Sequence, residues 1–239
     1  QRQMCIRDRM NTVAHRYQNI TERIRSAVHR SGRNPDSVRL VAVSKTVAAD
    51  RVKAAIDAGV RILGENYVQE AREKCMLLSA EPVSWHFIGH LQTNKAKYAA
   101  RLFDMIHSVD SLKLARVLDL HCQKIAKTLN ILIQVNISAE STKSGVKIDE
   151  LLHLVQGISQ FRHLTIRGLM TMPPFFNEPE KARPFCGALR EFRDEIKRAA
   201  IPGVEMVELS MGMTGDFEAA IEEGATLVRI GTAIFGERK

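Results

Sequence analysis

Residues 40–66 read LVAVSKTVAADRVKAAIDAGVRILGEN and contain the smallest repeating unit of the fold. The first four residues form an apolar run rich in β-branched side chains, which is typical of a buried strand. In the stretch that follows, Val52, Ala55 and Ile56 share one face of a helix, and Gly59 ends it. A second short apolar run comes next. The pattern predicts a strand, a helix and a second strand, which is the unit that builds parallel sheets.

The same pattern recurs along the rest of the chain. Further short apolar runs, each preceded by a predicted helix, are SWHFIGH (84–90), DMIHSVD (104–110), NILIQVNIS (130–138), LTIRGLM (164–170), EMVELSM (205–211) and TLVRIGT (226–232). With the first two runs the count comes to about eight strands. Eight such repeats predict a closed (β/α)8 TIM barrel. An open doubly wound sheet is the alternative, but the first strand-to-helix turn lacks the G-x-G-x-x-G pattern.

A helix is also predicted before the first strand. Apolar residues recur at helical spacing from Val13 to Val28, with polar residues between them. We expect this extra N-terminal helix to cover the barrel where the chain ends after strand eight. Met10 begins the helical stretch, so we interpret residues 1–9 as a disordered extension foreign to the fold. Residues 10–239 are then one barrel domain.

Composition limits the classes of partner. The formal net charge is +8, but aromatic residues make up only 5%, and no long Lys/Arg run is present. This pattern argues against nucleic-acid binding, and a basic surface fits a phosphorylated small molecule. No segment approaches the roughly 18 apolar residues needed to span a bilayer. Four scattered cysteines, without a C-x-x-C pair, favour a reducing cytoplasm over a disulfide framework or zinc ribbon.

In such a barrel the active face lies at the carboxyl ends of the strands. The segment SMGMTGD (210–216) offers the hydroxyls of Ser210 and Thr214 and two glycines, just before a helix whose free N–H groups favour an anion. The segment RIGT (229–232) adds Gly231 and Thr232. Either segment alone is most simply a turn. Their joint placement after strands seven and eight predicts a cup for one phosphate.

Lys45 ends the first strand and has two interpretations. It extends its ammonium past the apolar rim to water, or it is a nucleophile that waits for a carbonyl group. A phosphate site across the same mouth favours the second interpretation, because a phosphorylated aldehyde held there would present its carbonyl to the lysine. A lysine and a phosphate cup at the same barrel mouth together indicate pyridoxal 5′-phosphate (PLP) as the ligand. Burial and neighbouring positive charge would lower the pKa of the amine and keep it nucleophilic.

Arg229 lies in strand eight and also has two interpretations. One is a structural ion pair. The other is a guanidinium that faces the ring nitrogen of the cofactor. Because a guanidinium only donates hydrogen bonds, the pyridine nitrogen would then stay unprotonated and the cofactor would withdraw electrons weakly.

A set of long motifs carries a family resemblance. The motifs are LVAVSKT, LGENYVQE, WHFIGHLQTNK, NILIQVNIS, STKSG, IRGLMTMPP, LSMGMTGDFEAAI and VRIGTAIFG. Together they resemble the pyridoxal phosphate homeostasis protein family, and the likeness runs from about Met10 to Arg238. The resemblance implies a single barrel like the N-terminal domain of alanine racemase. It also implies PLP held as a lysine aldimine.

Carried over position by position, the resemblance implies roles for seven residues. Lys45 is the Schiff-base lysine, Arg229 faces the pyridine nitrogen, and the remaining cofactor contacts are Asn66, Ser210, Met211, Gly231 and Thr232. Thr214 stands where the family more usually has serine, and it keeps the hydroxyl group. The resemblance implies no catalytic residue.

The implied role is regulation of the vitamin B6 pool and of amino acid and keto acid balance. The rival class is a PLP-dependent amino acid racemase, which needs a second acid/base on the opposite face of the substrate. We expect no room for the domain that supplies that group in alanine racemases, because the chain stops after the barrel. We therefore expect a cytoplasmic monomer that binds PLP without efficient turnover. PLP-dependent apo-enzymes are its candidate recipients.

No metal site is expected. His86 and His90 are four residues apart, which would suit two metal ligands on a helix. Their segment is predicted as a strand, where residues four apart are separated by about 13 Å.

Overall fold

A computed structural model of the protein describes residues 12–138, 140 and 144–237. Eight strands close into one barrel in which each strand pairs with its neighbours in chain order, and β1 pairs with β8. All the strand pairs are parallel. The prediction of a (β/α)8 barrel is confirmed, and each of the eight apolar runs contains one strand.

The strands are β1 (Arg39–Val43), β2 (Ile62–Glu65), β3 (Ser84–Phe87), β4 (Met105–Val109), β5 (Leu129–Gln134), β6 (Leu164–Met170), β7 (Val204–Ser210) and β8 (Leu227–Ile230). The α-helices are α1 (Val13–Arg30), α2 (Ala49–Asp57), α3 (Val68–Leu77), α4 (Ala96–Leu102), α5 (Leu112–Lys124), α6 (Ile148–Ile158), α7 (Arg183–Arg198), α8 (Phe217–Glu222) and α9 (Thr232–Phe235). Short 3-10 turns lie at Pro35–Ser37, Thr93–Lys95 and Pro179–Ala182.

Apolar side chains pack in two layers. The larger layer lies between the strands and the surrounding helices and includes Phe87, Phe103 and Phe217. A smaller cluster joins six strands, with the members Val41, Ile62, Met105, Leu132, Met170 and Leu227. Side chains of successive strand residues point to opposite faces, so one strand serves both layers. The barrel is thus a packed core, and polar side chains from the strand ends converge at its open end.

The helix before β1 closes the side of the barrel next to β8. Helix α1 packs against α8, α9 and α2. Arg23 on α1 pairs with Glu218 on α8 at 2.6 Å and lies over the ring of Phe217. The predicted N-terminal helix is confirmed, as is its covering role. The predicted extension at residues 1–9 lies outside the described residues.

The three cysteines within the described residues carry free thiols. Burial raises the pKa of Cys75 and Cys186 to about 12 and that of Cys122 to about 11. These thiols are therefore protonated and unreactive near neutral pH. Among the residues that the structure describes, no helix combines the length and apolar composition needed to cross a membrane.

Candidate functional site

A cavity of about 260 Å³ opens at the carboxyl ends of the strands. Its wall is formed by residues that follow six of the eight strands. They are Val43, Lys45, Asn66, Ile88, Met172, Pro174, Phe175, Phe176, Met213, Thr214, Gly215, Asp216, Arg229, Gly231 and Thr232. The structure therefore brings five of the seven predicted site residues to one cavity, namely Lys45, Asn66, Arg229, Gly231 and Thr232.

Lys45 is the second residue after the end of β1, where the chain leaves the barrel. Its neighbour Ser44 is fully buried, whereas Lys45 is half-buried in the cavity wall. Ser44 continues the sheet by donating its N–H to the Gly64 carbonyl at 2.9 Å. The apolar strand thus carries the lysine to the barrel mouth and leaves its side chain at the edge of the cavity.

A buried polar cluster lies beside Lys45. Ser44 Oγ donates to Glu65 Oε1 at 2.6 Å, and Lys74 Nζ donates to the same oxygen at 2.8 Å. Lys74 Nζ also donates to the Ser44 carbonyl at 2.5 Å and to Glu70 Oε1 at 2.6 Å. Burial raises the pKa of Glu65, and the bonds from Lys74 and Ser44 oppose that rise. Oε1 thus accepts two hydrogen bonds, whereas the buried Oε2 has no partner among the described residues.

Arg229 lies on β8 and presents a buried cation to the cavity. Its Nη1 donates to Ser210 Oγ at 2.6 Å, and its Nη2 donates to the Thr171 carbonyl at 2.9 Å. Burial lowers the pKa of the guanidinium to about 10. The group therefore stays charged at neutral pH. Within the described residues Arg229 bonds to neutral partners and forms no ion pair, which argues against the first interpretation, and the second, a guanidinium that faces the ring nitrogen, stays a prediction.

A chain of hydrogen bonds continues from Arg229 into the barrel. Ser210 Oγ lies 2.9 Å from His107 Nδ1, and His107 Nε2 lies 2.9 Å from His86 Nδ1. Ser210 Oγ accepts from Arg229, and the direction of the Ser210–His107 and His107–His86 hydrogen bonds depends on the tautomers of the two rings. Burial lowers the pKa of His86 to about 4 and that of His107 well below its ordinary value. Both histidines are therefore neutral, and each ring has one N–H donor and one acceptor nitrogen.

The glycine-rich turn after β7 reaches the cavity only in its second half. Met213, Thr214, Gly215 and Asp216 line the wall. Ser210 and Met211 are fully buried, and Met211 packs in the apolar layer beneath the turn. The structure thus sets these two predicted cofactor contacts apart from the other five. Their contact with the cofactor stays a prediction.

Gly212 makes this turn possible. It has a φ of +88°, a conformation that residues with a Cβ rarely adopt, and an added Cβ would lie 2.7 Å from Ala220 Cβ. Asp216 Oδ1 accepts the Met213 N–H at 2.6 Å and closes the turn. Thr214 then lies at the barrel mouth, where it lines the same cavity as Gly231 and Thr232.

Asn66 follows β2 and borders two cavities. Besides the larger cavity, it lines an adjoining one of about 220 Å³, as do Ile88 and Met172. Its Oδ1 atom is buried and has no hydrogen-bond partner among the described residues. A buried carbonyl oxygen without a donor is costly, so Asn66 has an unused acceptor at the cavity wall.

Sequence reasoning missed Lys74, His107 and the apolar rim. Lys74 lies on α3 and His107 on β4, and neither belongs to a recognised motif segment at a strand end. Phe175, which is 85% exposed, sits on the rim with Phe176. The doubled phenylalanine after MTMPP was the available signal for the rim, because exposed aromatic pairs are unusual in a loop.

Comparisons with known proteins show similarity over nearly the whole chain. The sequence pattern of the family described as "Alanine racemase, N-terminal domain" matches residues 16–239. A relative from Aquifex aeolicus (strain VF5) named "Pyridoxal phosphate homeostasis protein" is 42% identical over 224 residues, which cover 94% of this chain and 97% of the relative. The structure of PipY from Synechococcus elongatus PCC7942 with PLP bound is 38% identical, with a TM-score of 0.80, and covers 91% of this chain and 100% of PipY. Alanine racemase of Clostridium difficile 630 has a TM-score of 0.71 at 13% identity, covers 90% of this chain and 57% of the racemase, and shows the fold alone.

Proposed function

The chain belongs to the pyridoxal phosphate homeostasis protein family, and we propose that it binds PLP through Lys45 to regulate the vitamin B6 pool and amino acid and keto acid balance. One observation carries the proposal. Lys45, Arg229 and the hydroxyl-bearing turns after β7 and β8 line a single cavity at the barrel mouth. PLP, when bound, supplies an aldehyde that condenses with a primary amine.

The residues of the cavity fit the three chemical parts of PLP. Thr214 and Thr232 offer hydroxyl donors for a phosphate, and Gly231 leaves room for close approach. Lys45 offers the amine, and the buried Arg229 offers N–H donors for the pyridine nitrogen. The orphaned Oδ1 of Asn66 supports a further polar contact at the wall. The buried cation of Arg229 also favours an anionic ligand over a neutral one.

The covalent step uses Lys45 as the nucleophile. Its neutral amine would add to the aldehyde carbon of bound PLP and would give up both of its protons, which would leave with the aldehyde oxygen as one water molecule. One C=N bond would thereby replace one C=O bond, with no oxidant or reductant consumed. The chain's part is to hold the Lys45 nitrogen and the phosphate at the two ends of the cavity.

The chemistry of the wall supports binding over efficient turnover. The titratable side chains among the described lining residues are Lys45, Asp216 and Arg229. Asp216 holds the turn after β7 through the Met213 N–H, and Arg229 is a permanent donor. Racemisation needs a second acid/base across the substrate from the lysine. We therefore propose a carrier that acts as a monomer in the cytoplasm, with PLP-dependent apo-enzymes as its recipients.

The test is an absorbance spectrum of the purified protein incubated with PLP, followed by borohydride reduction and peptide mapping. We expect the wild type to show the visible band of a lysine C=N bond and a covalent adduct on Lys45. Lys45→Ala should show neither. Lys53→Ala is the matched control, because Lys53 is an exposed lysine of α2 paired with Asp57 and should leave the adduct unchanged. A wild type that stays colourless and unmodified would contradict the proposal.

A further inference from the structure

The residues on both sides of Lys45 are held by side chains that come from β2 and α3. We call Glu65, Glu70 and Lys74 the α3 cluster. Ser44 contacts it through two bonds, since its hydroxyl donates to Glu65 and its carbonyl accepts from Lys74. Thr46 contacts it through its N–H, which donates to Glu70 Oε1 at 2.5 Å. The backbone is thus anchored immediately before and immediately after the lysine.

Lys74 is the centre of the cluster. Its side chain is 6% exposed, and all three ammonium donors have an acceptor: the Ser44 carbonyl, Glu65 and Glu70. A buried ammonium is costly unless it is fully paired, so its position is tightly determined by these acceptors. One side chain therefore ties the end of β1 to the end of β2 and to the first turn of α3.

Thr46 shows that this anchoring works against a local preference of the backbone. Its φ is +60°, a left-handed conformation that is unusual for a β-branched residue. Such a conformation is strained and persists only where surrounding contacts impose it. The bond from its N–H to Glu70 is one such contact. Strained residues of this kind are concentrated at sites where a neighbouring side chain must be aimed.

We propose that Lys74 is a positioning residue, which holds the backbone of residues 44–46 so that the Lys45 amine is aimed at the aldehyde of bound PLP. This inference rests on the proposed function. Lys74 touches no ligand in it: the ammonium acts through the Ser44 carbonyl and, by way of Glu70, through the Thr46 N–H.

The test separates the total PLP bound from the PLP bound covalently. Equilibrium dialysis measures the first, and the rate of adduct formation trapped by borohydride measures the second. In Lys74→Met, we expect adduct formation to slow roughly tenfold to hundredfold, because a displacement near 1 Å can cost about that much. At saturating PLP, the total amount bound should match that of the wild type, since the phosphate cup is untouched.

Two further variants make the result decisive. Glu70→Ala removes the acceptor of the Thr46 N–H but leaves Lys74 paired with Glu65, so it should fold and should slow adduct formation by a smaller factor. Lys127→Met is the matched control. Lys127 is another half-buried lysine whose Nζ donates to backbone carbonyls, those of Ala100 and Phe103 at 3.0 and 2.7 Å. These carbonyls end α4, away from the mouth, so adduct formation should equal that of the wild type.

The outcomes divide clearly. Slow adduct formation with normal total binding in both α3-cluster variants supports positioning. An unchanged rate in Glu70→Ala and Lys74→Met overturns it. A parallel loss of total binding and adduct in these variants also overturns it, because that result indicates general damage to the site. A wild type without adduct would instead contradict the proposed function itself.

Discussion

Arg229 on β8 donates from Nη1 to Ser210 Oγ on β7 at 2.6 Å, and both residues are buried. This bond couples the cavity wall to the interior of the barrel. Because Ser210 Oγ also forms a hydrogen bond with His107, and His107 with His86, the guanidinium is linked to two neutral histidines that lie deeper in the barrel. The Arg229 guanidinium, which is predicted to face the pyridine nitrogen, is therefore held from the interior side of the barrel.

Ser210→Ala should lower the free energy of unfolding by about 1–3 kcal/mol, because Arg229 and His107 each lose a buried partner. Urea denaturation measures the change. Ser108→Ala is the matched control. Ser108 follows His107 in β4 and is also buried, but its hydroxyl has no partner among the described residues. Its removal should leave stability unchanged or raise it. Equal losses in the two variants would contradict the proposed coupling.

The stability of the protein should fall in mild acid. The unfolded chain binds a proton on His86 below about pH 6.5, whereas burial lowers the pKa in the folded protein to about 4. Between these values the unfolded state binds more protons, so the free energy of unfolding falls as the pH falls, by up to about 1.4 kcal/mol per pH unit. The loss is complete near pH 4.

Urea denaturation at several pH values between about 7 and about 4.5 checks this slope. His86→Gln has no titratable group at this position and should show a shallower loss than the wild type. Identical slopes in the two proteins would show that His86 already takes up its proton in the folded state at an ordinary pKa.

Thr214→Val and Thr232→Val should each weaken non-covalent PLP binding by roughly tenfold, which corresponds to one lost hydrogen bond to a charged oxygen. Measurement of the dissociation constant in a Lys45→Ala background isolates the phosphate contribution from the covalent one. Thr165→Val, in β6 and away from the cavity, is the control and should bind normally. If both variants bind PLP as tightly as the Lys45→Ala parent does, the phosphate lies elsewhere.

Gly212→Ala should destabilise the protein by about 1–3 kcal/mol, because φ is +88° and the new Cβ would lie 2.7 Å from Ala220 Cβ and 3.0 Å from Phe217 Cα. Gly215→Ala provides the comparison three residues along the same turn. A Cβ there meets nothing within 4 Å, so the change should stay within about 0.5 kcal/mol. Thermal melts of the two variants would differ clearly, and coinciding melting temperatures would contradict the account of the turn.

The seven predicted site residues show how far strand order alone determines a site. Lys45, Asn66 and Arg229 reach one cavity because each lies at the carboxyl end of a strand, and parallel strands place those ends on one face. Ser210 lies at a strand end too, yet its side chain points into the barrel. Successive strand residues alternate between two faces, so strand bounds have to be known to one residue before such a side chain can be assigned.

The sequence by itself therefore determined the order of strands and helices, the closed barrel and the face on which Lys45 and Arg229 meet. These follow from the periodicity of apolar residues and from the chirality of parallel crossovers, which are local or general rules. The tertiary structure alone decided that Lys74 anchors the backbone around Lys45 and that His107 supports Ser210. Those contacts join residues that lie 30 and 103 positions apart in the chain, and they depend on side-chain directions that no short sequence pattern contains.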